Sequence, residues 1–261
     1  MEKTREITLR KNGVSIGGEK KLLCAGPCAV ESLNQIKEIA AFLKVTETPL
    51  LRGGSFKLRT SPQSFQGLGE EALKFLKEVG EEFNLLTVTE VATPEQIKLA
   101  YEYVDVLQIG ARSSQNPYLL KEAGRQRKPV LLKRGMMMTI EELLWASEYI
   151  TREGNPNVIL CERGIRTFEP STRNTLDLSA VVILKEKTNL PIMVDPSHAV
   201  GHAHYVSKLA KAALVSGADG LMIEIHPTPH TALSDGRQAL DFKTYEKLVH
   251  ELRAETISFT I

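Results

Sequence analysis

The sequence predicts an α/β fold, a (β/α)8 TIM barrel with a short N-terminal β-hairpin extension, on three observations. Strand-sized apolar runs alternate with amphipathic helical stretches along the chain. Eight such runs can be traced, each followed by a helical pattern, and the 261 residues suit eight such units. A doubly wound open sheet, built from the same alternation, is the competing architecture. No low-complexity linker or compositional break marks a second domain. The expected organisation is therefore a hairpin extension over residues 1–20 and one barrel over residues 21–261.

The extension comes first. In "EITLRKNGVSIGG", Ile7 and Leu9, then Val14 and Ile16, alternate around Asn12-Gly13, the signature of a β-hairpin. Its simplest role is to plug one end of the barrel; a subunit interface is the alternative. The strands then follow as "KLLCAGPC" (21–28), "PLLRGG" (49–54), "LLTVTEV" (85–91), "VLQIGA" (106–111), "PVLLKRG" (129–135), "NVILCERG" (157–164), "PIMVDPSHA" (191–199) and "GLMIEIHP" (220–227). Between and after them, "EEALKFLKEVGEEF", "TIEELLWASEYITREG", "YVSKLAKAALVSG" and "FKTYEKLVHELRAE" carry the apolar period of helices packed on one face.

Composition narrows the functional classes. With 42% hydrophobic and 25% charged residues and a net charge of +1, the chain is neither a general nucleic-acid binder nor a binder of acidic membranes. Its longest apolar runs are strand-sized, too short to span a bilayer. The N-terminus lacks the apolar core of a signal peptide. Three cysteines, Cys24, Cys28 and Cys161, make no disulfide framework. A cytoplasmic location is expected.

Barrel enzymes build their sites from the C-terminal ends of several strands, and here each of those ends is polar. Strand one ends in Cys28. Strand two ends in Arg52, with Lys57 and Arg59 in its loop. Strands three to six offer Glu90, Arg112, Lys133 with Arg134, and Arg163. Strand seven ends in His198, and strand eight carries Glu224 and His226, with Asp235 in the loop beyond. Arg52, Lys57, Arg59, Arg112, Lys133 and Arg163 would converge on one mouth of a nearly neutral protein. Like charges so gathered repel unless anions pair with them. Arginine forks suit phosphate and carboxylate while lysine supplies a point charge, so two phosphates and a carboxylate are the expected occupants. Salt bridges to Glu90, Glu162 and neighbouring acids are the plainer explanation of any one of these cations.

Cys28, His198, Glu224 and Asp235 add a thiolate, an imidazole and two carboxylates from strands one, seven and eight. Strands one and eight adjoin in a closed barrel, so the four can meet. Mixed S/N/O donors suit a divalent ion such as Mn²⁺, Fe²⁺, Co²⁺ or Zn²⁺. In "HAVGHAH", His202 and His204 fall where the chain turns into a helix and read as surface residues; His198 alone is assigned to the site. Cys24 and Cys161 fit core strand positions, and the Met136–138 run reads as packing or loop filler.

"AGPCAVES", "LRGGSFKLRTSPQSFQG", "TVTEV", "QIGARSSQN", "VLLKRGM", "ILCERGIRTFE", "VDPSHA" and "GADGLMIEIHP…ALSDGRQAL" resemble, in order, the motifs of 3-deoxy-D-arabino-heptulosonate 7-phosphate (DAHP) synthases. The resemblance is nearest to the short type Iβ branch, which is related to the KDO8P synthases, and it spans about residues 20 to 245. It implies condensation of phosphoenolpyruvate with erythrose 4-phosphate, the first step of the shikimate pathway. It also implies roles. Cys28, His198, Glu224 and Asp235 match metal ligands. Arg112, Lys133 and Arg163 match holders of the phosphoenolpyruvate phosphate, and Arg52 and Lys57 match residues near its carboxylate and reacting end. Arg59 and Thr60 match the sugar-phosphate stretch, with Ser113 as a helper, and Glu90 matches an active-site acid. Lys57, Asp235 and Glu90 are the expected proton carriers.

One departure stands out. The usual "KPRT" is "KLRT" here, with Leu58 for proline; leucine frees the backbone that proline would fix and keeps Lys57 and Arg59 in register. The asparagine typical of KDO8P synthases in this loop is missing. The rival readings are a KDO8P synthase taking arabinose 5-phosphate, a Schiff-base aldolase using Lys133, and a non-catalytic phosphate-binding barrel. The barrel is expected to begin about 20 residues in, and no regulatory domain is expected ahead of it. An unregulated enzyme, or one controlled by a partner protein, is expected, as a homodimer or homotetramer.

Overall fold

The computed structural model describes residues 3–9, 13–59, 61–254 and 258–260. Two short antiparallel strands, β1 (Ile7–Thr8) and β2 (Ser15–Ile16), pair with Ile7 opposite Ile16; the expected turn residue Asn12 lies outside the described residues. Eight parallel strands then close into a barrel: β3 (Leu22–Gly26), β4 (Leu50–Arg52), β5 (Leu86–Val91), β6 (Val106–Ile109), β7 (Val130–Lys133), β8 (Val158–Glu162), β9 (Ile192–Val194) and β10 (Gly220–Glu224). β10 returns to β3 with Gly220 beside Leu22 and Glu224 beside Gly26. The open-sheet alternative is thereby excluded.

The helices are α1 (Leu33–Val45), α2 (Glu70–Phe83), α3 (Pro94–Tyr101), α4 (Pro117–Arg125), α5 (Ile140–Arg152), α6 (Leu178–Lys187), α7 (Pro196–Val200), α8 (Ala203–Val215) and α9 (Phe242–Ala254). Their starts are written in the sequence. Ser32, Thr93, Asn116, Thr139 and Asp177 each accept from a backbone N–H of the first turn, and Thr139 forms a reciprocal capping box with Glu142. Strand side chains alternate between two destinations. Leu23, Leu51, Leu107, Leu132, Leu160, Val194 and Ile223 pack outward on the helices. Leu22, Cys24, Leu50, Val88, Val106, Leu131, Ile159, Cys161, Met193 and Met222 fill the interior together with Ile7, Leu9, Val14 and Ile16 of the hairpin. The hairpin is thus a plug in the apolar end of the barrel, and Cys24 and Cys161 are core residues. Beside it, Lys21 N–H donates to Ser258 O at 2.7 Å and Thr260 N–H to Lys21 O at 2.9 Å, tying in the C-terminal segment. No helix among the described residues is long and apolar enough to cross a membrane.

The seventh barrel strand is shorter than expected. It ends at Val194, and Asp195 caps the five-residue α7, accepting from His198 N–H at 2.9 Å. Pro196 at the first helical position suits a helix start, so His198 projects from a helix rather than a strand end.

Candidate active site

Two residues beyond the last apolar interior position, seven of the eight strands turn polar. Leu50 is followed inward by Arg52, Val88 by Glu90, Val106 by Gln108, Leu131 by Lys133, Cys161 by Arg163, Met193 by Asp195 and Met222 by Glu224. On β3 the corresponding residue is Gly26, at φ 151°; a Cβ there would lie 2.0 Å from Arg52 O, so only glycine lets the chain pass at this layer.

Above this layer lies a cavity of about 330 Å³, bordered by Lys57, Arg59, Glu90, Arg112, Lys133, Arg163, His198 and Asp235. Arg166 and Arg173, from the loop between β8 and α6, also border it. The irregular course of that loop hid them from a periodic reading, although "RGIRTFEPSTR" showed their charge. Arg52, Cys28 and Glu224 are buried and reach the lining through Lys57 and His198; Ser113 is buried and does not border the cavity, and Thr60 lies outside the described residues. Arg134 points elsewhere, to Glu162 at 2.8 Å and Asp177 at 2.9 Å.

The six cations divide. Arg52 faces Glu224 at 2.9 Å and Lys133 faces Asp195 at 2.5 Å, as the salt-bridge explanation expects. Arg163 donates to the carbonyls of His198 and Gly164 at 2.9 and 3.3 Å. Arg59, Arg112 and Arg163 meet no carboxylate in an ion pair among the described residues, so net positive charge remains for an anion. Burial works against the Lys57 ammonium, but the Cys28 sulfur and Glu90 outweigh it and raise its pKa. Lys57 is a charged donor at neutral pH, with Nζ 2.9 Å from both Cys28 O and Sγ.

One donor atom from each of Cys28, His198, Glu224 and Asp235 lies within 4.8 Å of the others. In His198 and Glu224 a partner holds one of the two possible ligand atoms and leaves the other toward the quartet. Asp195 Oδ2 lies 2.7 Å from His198 Nδ1, which holds that nitrogen protonated and leaves Nε2 as the ligand atom. Gln238 Nε2 donates to Glu224 Oε2 at 2.6 Å. The other oxygen, Oε1, is buried 2.9 Å from Arg52 Nη1 and 3.2 Å from His198 Nε2, yet neither contact is aligned as a hydrogen bond. A buried carboxylate oxygen without a hydrogen bond is costly, and a cation among these four donors would satisfy it. The set fits a divalent metal ion.

Electrostatics agree. Burial lowers the His198 pKa, so the imidazole stays neutral. Burial, followed by Glu224, pushes the Cys28 thiol up to about 12, a value that a bound cation would reverse. For Asp235, burial opposes ionisation, but His198 and Arg173 outweigh it and hold the carboxylate well below its ordinary range. Asp195, which the sequence reading missed, behaves alike: burial is outweighed by His198 and Lys133. Its signal was present as the Asp-Pro helix start in "VDPSHA". His226 faces Gln35 and Glu31 instead, and His202 stands just before α8 without a side-chain capping bond, with His204 exposed in the first turn.

The DAHP synthetase I family model matches residues 5–258. Phospho-2-dehydro-3-deoxyheptonate aldolase of Thermotoga maritima is 50% identical over 240 residues, 92% of this chain and 71% of that protein. A crystal structure of that enzyme, also called DAHP synthase, superposes with a TM-score of 0.95 at 47% identity, covering 99% of this chain and 76% of the other. A truncated form of 3-deoxy-D-arabino-heptulosonate 7-phosphate synthase from Thermotoga maritima gives 0.91 at 44% identity, over 99% and 95% of the two chains. A 2-dehydro-3-deoxyphosphooctonate aldolase of Koribacter versatilis is 34% identical over 251 residues, 88% of this chain and 89% of that protein.

Proposed function

This chain belongs to the DAHP synthetase I family, and we propose that its cationic mouth condenses phosphoenolpyruvate with erythrose 4-phosphate to give DAHP and inorganic phosphate. That is the first step of the shikimate pathway. The observation that carries the reading is the Cys28/His198/Glu224/Asp235 quartet at the floor of a mouth rich in arginine and lysine. A binder of phosphates alone would have no need of the quartet.

Arg112, Lys133 and Arg163 hold the phosphate of phosphoenolpyruvate, while Arg52 and Lys57 stand at its carboxylate and reacting end. Arg59 and Thr60 hold the sugar phosphate, with Ser113 alongside. Clamping both anions side by side supplies orientation, which is worth up to ~10 kcal/mol of barrier. Cys28, His198, Glu224 and Asp235 would hold Mn²⁺, Fe²⁺, Co²⁺ or Zn²⁺, which when bound supplies Lewis acidity toward the aldehyde oxygen. C3 of the enol phosphate attacks the aldehyde carbon, and the Lys57 ammonium gives its proton to the developing alkoxide. Water adds at C2, where positive charge has developed. Its proton passes to a carboxylate bordering the mouth, Glu90 or Asp235, and the C2–O bond breaks to expel phosphate. Glu90 is set for this by Gln108, which donates to its Oε2 at 2.8 Å, and by Gly110, where a Cβ would lie 2.2 Å from its Oε1.

The KDO8P reading rests on the more distant phosphooctonate relatives, and the 50% identity to the heptonate enzyme outweighs it. Phosphate release measured with erythrose 4-phosphate and with arabinose 5-phosphate decides between them. Release with the four-carbon sugar alone is expected; preference for the five-carbon sugar would overturn the assignment. A homodimer or homotetramer, with feedback control supplied by a separate protein, extends the same proposal, and light scattering tests its first half.

A further inference from the structure

Ser234 stands between two parts of the site that the proposed chemistry treats separately. Its side chain is buried, and its hydroxyl oxygen lies 3.1 Å from Cys28 Sγ and 2.5 Å from Arg59 Nη1. The next residue, Asp235, adopts a left-handed backbone at φ 51°, which aspartate tolerates better than most residues. Consecutive side chains thereby reach the same sulfur, Asp235 Oδ2 at 3.3 Å and Ser234 Oγ at 3.1 Å. The loop is fixed from outside the site by Leu233 N–H, which donates to Glu31 at 2.8 Å.

The direction of this hydrogen-bond chain follows from chemistry. A guanidinium only donates, so the Ser234 oxygen accepts from Arg59. A cysteine serving a metal is a thiolate and only accepts, so the single Ser234 proton points at Cys28. Arg59 therefore polarises the hydroxyl that polarises the sulfur, and chains of this kind strengthen one another in a buried setting. A phosphate that pairs with the remaining N–H groups of the Arg59 fork, while Nη1 stays on Ser234, offsets the guanidinium charge and weakens that polarisation. Lys57 Nζ, 2.9 Å from the same sulfur, stays in place.

We propose that Ser234 is a positioning residue that couples capture of the sugar phosphate by Arg59 to the metal-binding sulfur of Cys28. It presents Arg59 to the incoming phosphate and reports the capture to the sulfur as a weakened hydrogen bond. This rests on the reading that Arg59 holds the sugar phosphate.

The test uses the Co²⁺-loaded protein, whose sulfur-to-cobalt charge-transfer absorption reads the thiolate directly. With erythrose 4-phosphate the wild-type band should move to longer wavelength. In Ser234→Ala the band should already lie there and should not respond. In steady state, Ser234→Ala should raise KM for erythrose 4-phosphate about tenfold, the worth of one charge-assisted hydrogen bond, and change KM for phosphoenolpyruvate less than about twofold. Ser234→Thr, which keeps the hydroxyl, should recover most of the loss. Should the alanine variant fail to fold, Arg59→Met reaches the chain from its other end: its sugar-free band should match the sugar-bound wild type. An alanine variant with wild-type KM and band response, or an unmoved band in Arg59→Met, would overturn the proposal. A wild-type enzyme inert toward erythrose 4-phosphate would instead overturn the functional reading on which it rests.

Discussion

The two ends of the barrel interior are built by the same strands to opposite specifications. In the lower layers Leu50, Val88, Val106, Leu131, Cys161, Met193 and Met222 interlock under the hairpin plug. One strand period higher, the same faces carry Arg52, Glu90, Gln108, Lys133, Arg163, Asp195 and Glu224. The lower layers gain stability by removing apolar surface from water. The upper layer holds buried charge that is satisfied only in part by its own pairs. A step of two residues along a strand separates what holds the fold from what performs the chemistry, so changes in the two layers should have separable effects.

The largest effect is expected from the quartet. His198→Ala or Cys28→Ala should lower kcat by more than about a thousandfold, since a Lewis acid is worth several kcal/mol in the transition state, while thermal unfolding of the metal-free protein changes little. Activity retained after either change would separate the quartet from the chemistry. Asp195→Asn comes next: losing the charge that faces both Lys133 and His198 should weaken metal binding 10- to 100-fold, measurable by competition with a chelator.

A pH dependence follows from Cys28. Its thiol, pushed up to about 12 by burial, is protonated throughout the neutral range, whereas the ligand form is the thiolate. Metal binding must release that proton, so apparent affinity should rise about tenfold per pH unit between about pH 7 and 9. His198, its pKa lowered by burial, is already neutral there and adds no second proton. Calorimetry in buffers of different ionisation enthalpy counts the protons, and a count of zero would remove Cys28 as a thiol that ionises on binding.

The lower layer should give the mirror result. Leu131→Ala should destabilise the fold by about 2–5 kcal/mol and leave kcat/KM of the folded fraction within about twofold, read by denaturant melts beside kinetics at low temperature. A larger loss of activity than of stability would break the separation. The smallest effect is expected at Leu58, half exposed at the mouth. Leu58→Pro, which restores the common motif, should shift KM for the sugar by less than about threefold, the reach of a local backbone restriction.

This comparison also explains what the sequence discloses. Alternation along eight strands made the barrel legible, and charges at the strand ends made the mouth legible, because both follow from periodicity. Asp195 stayed hidden because it fell inside the strand expected over residues 191–199, whereas it caps the short helix that follows Val194. Its second oxygen does the work on Lys133 and His198. Ser234, Arg166 and Arg173 sit on irregular loops, where residue spacing carries no information about direction. Partners separated by 206 residues, as Cys28 and Ser234 are, become visible only once the barrel closes.

The most direct test of the central claim, that the charged upper layer is a metal-dependent site for two phosphorylated substrates, is phosphate release from phosphoenolpyruvate and erythrose 4-phosphate before chelation, after exhaustive chelation, and after Mn²⁺ is restored. The account predicts turnover, its loss and its return, with an unchanged fold by circular dichroism. Full turnover after chelation would contradict it.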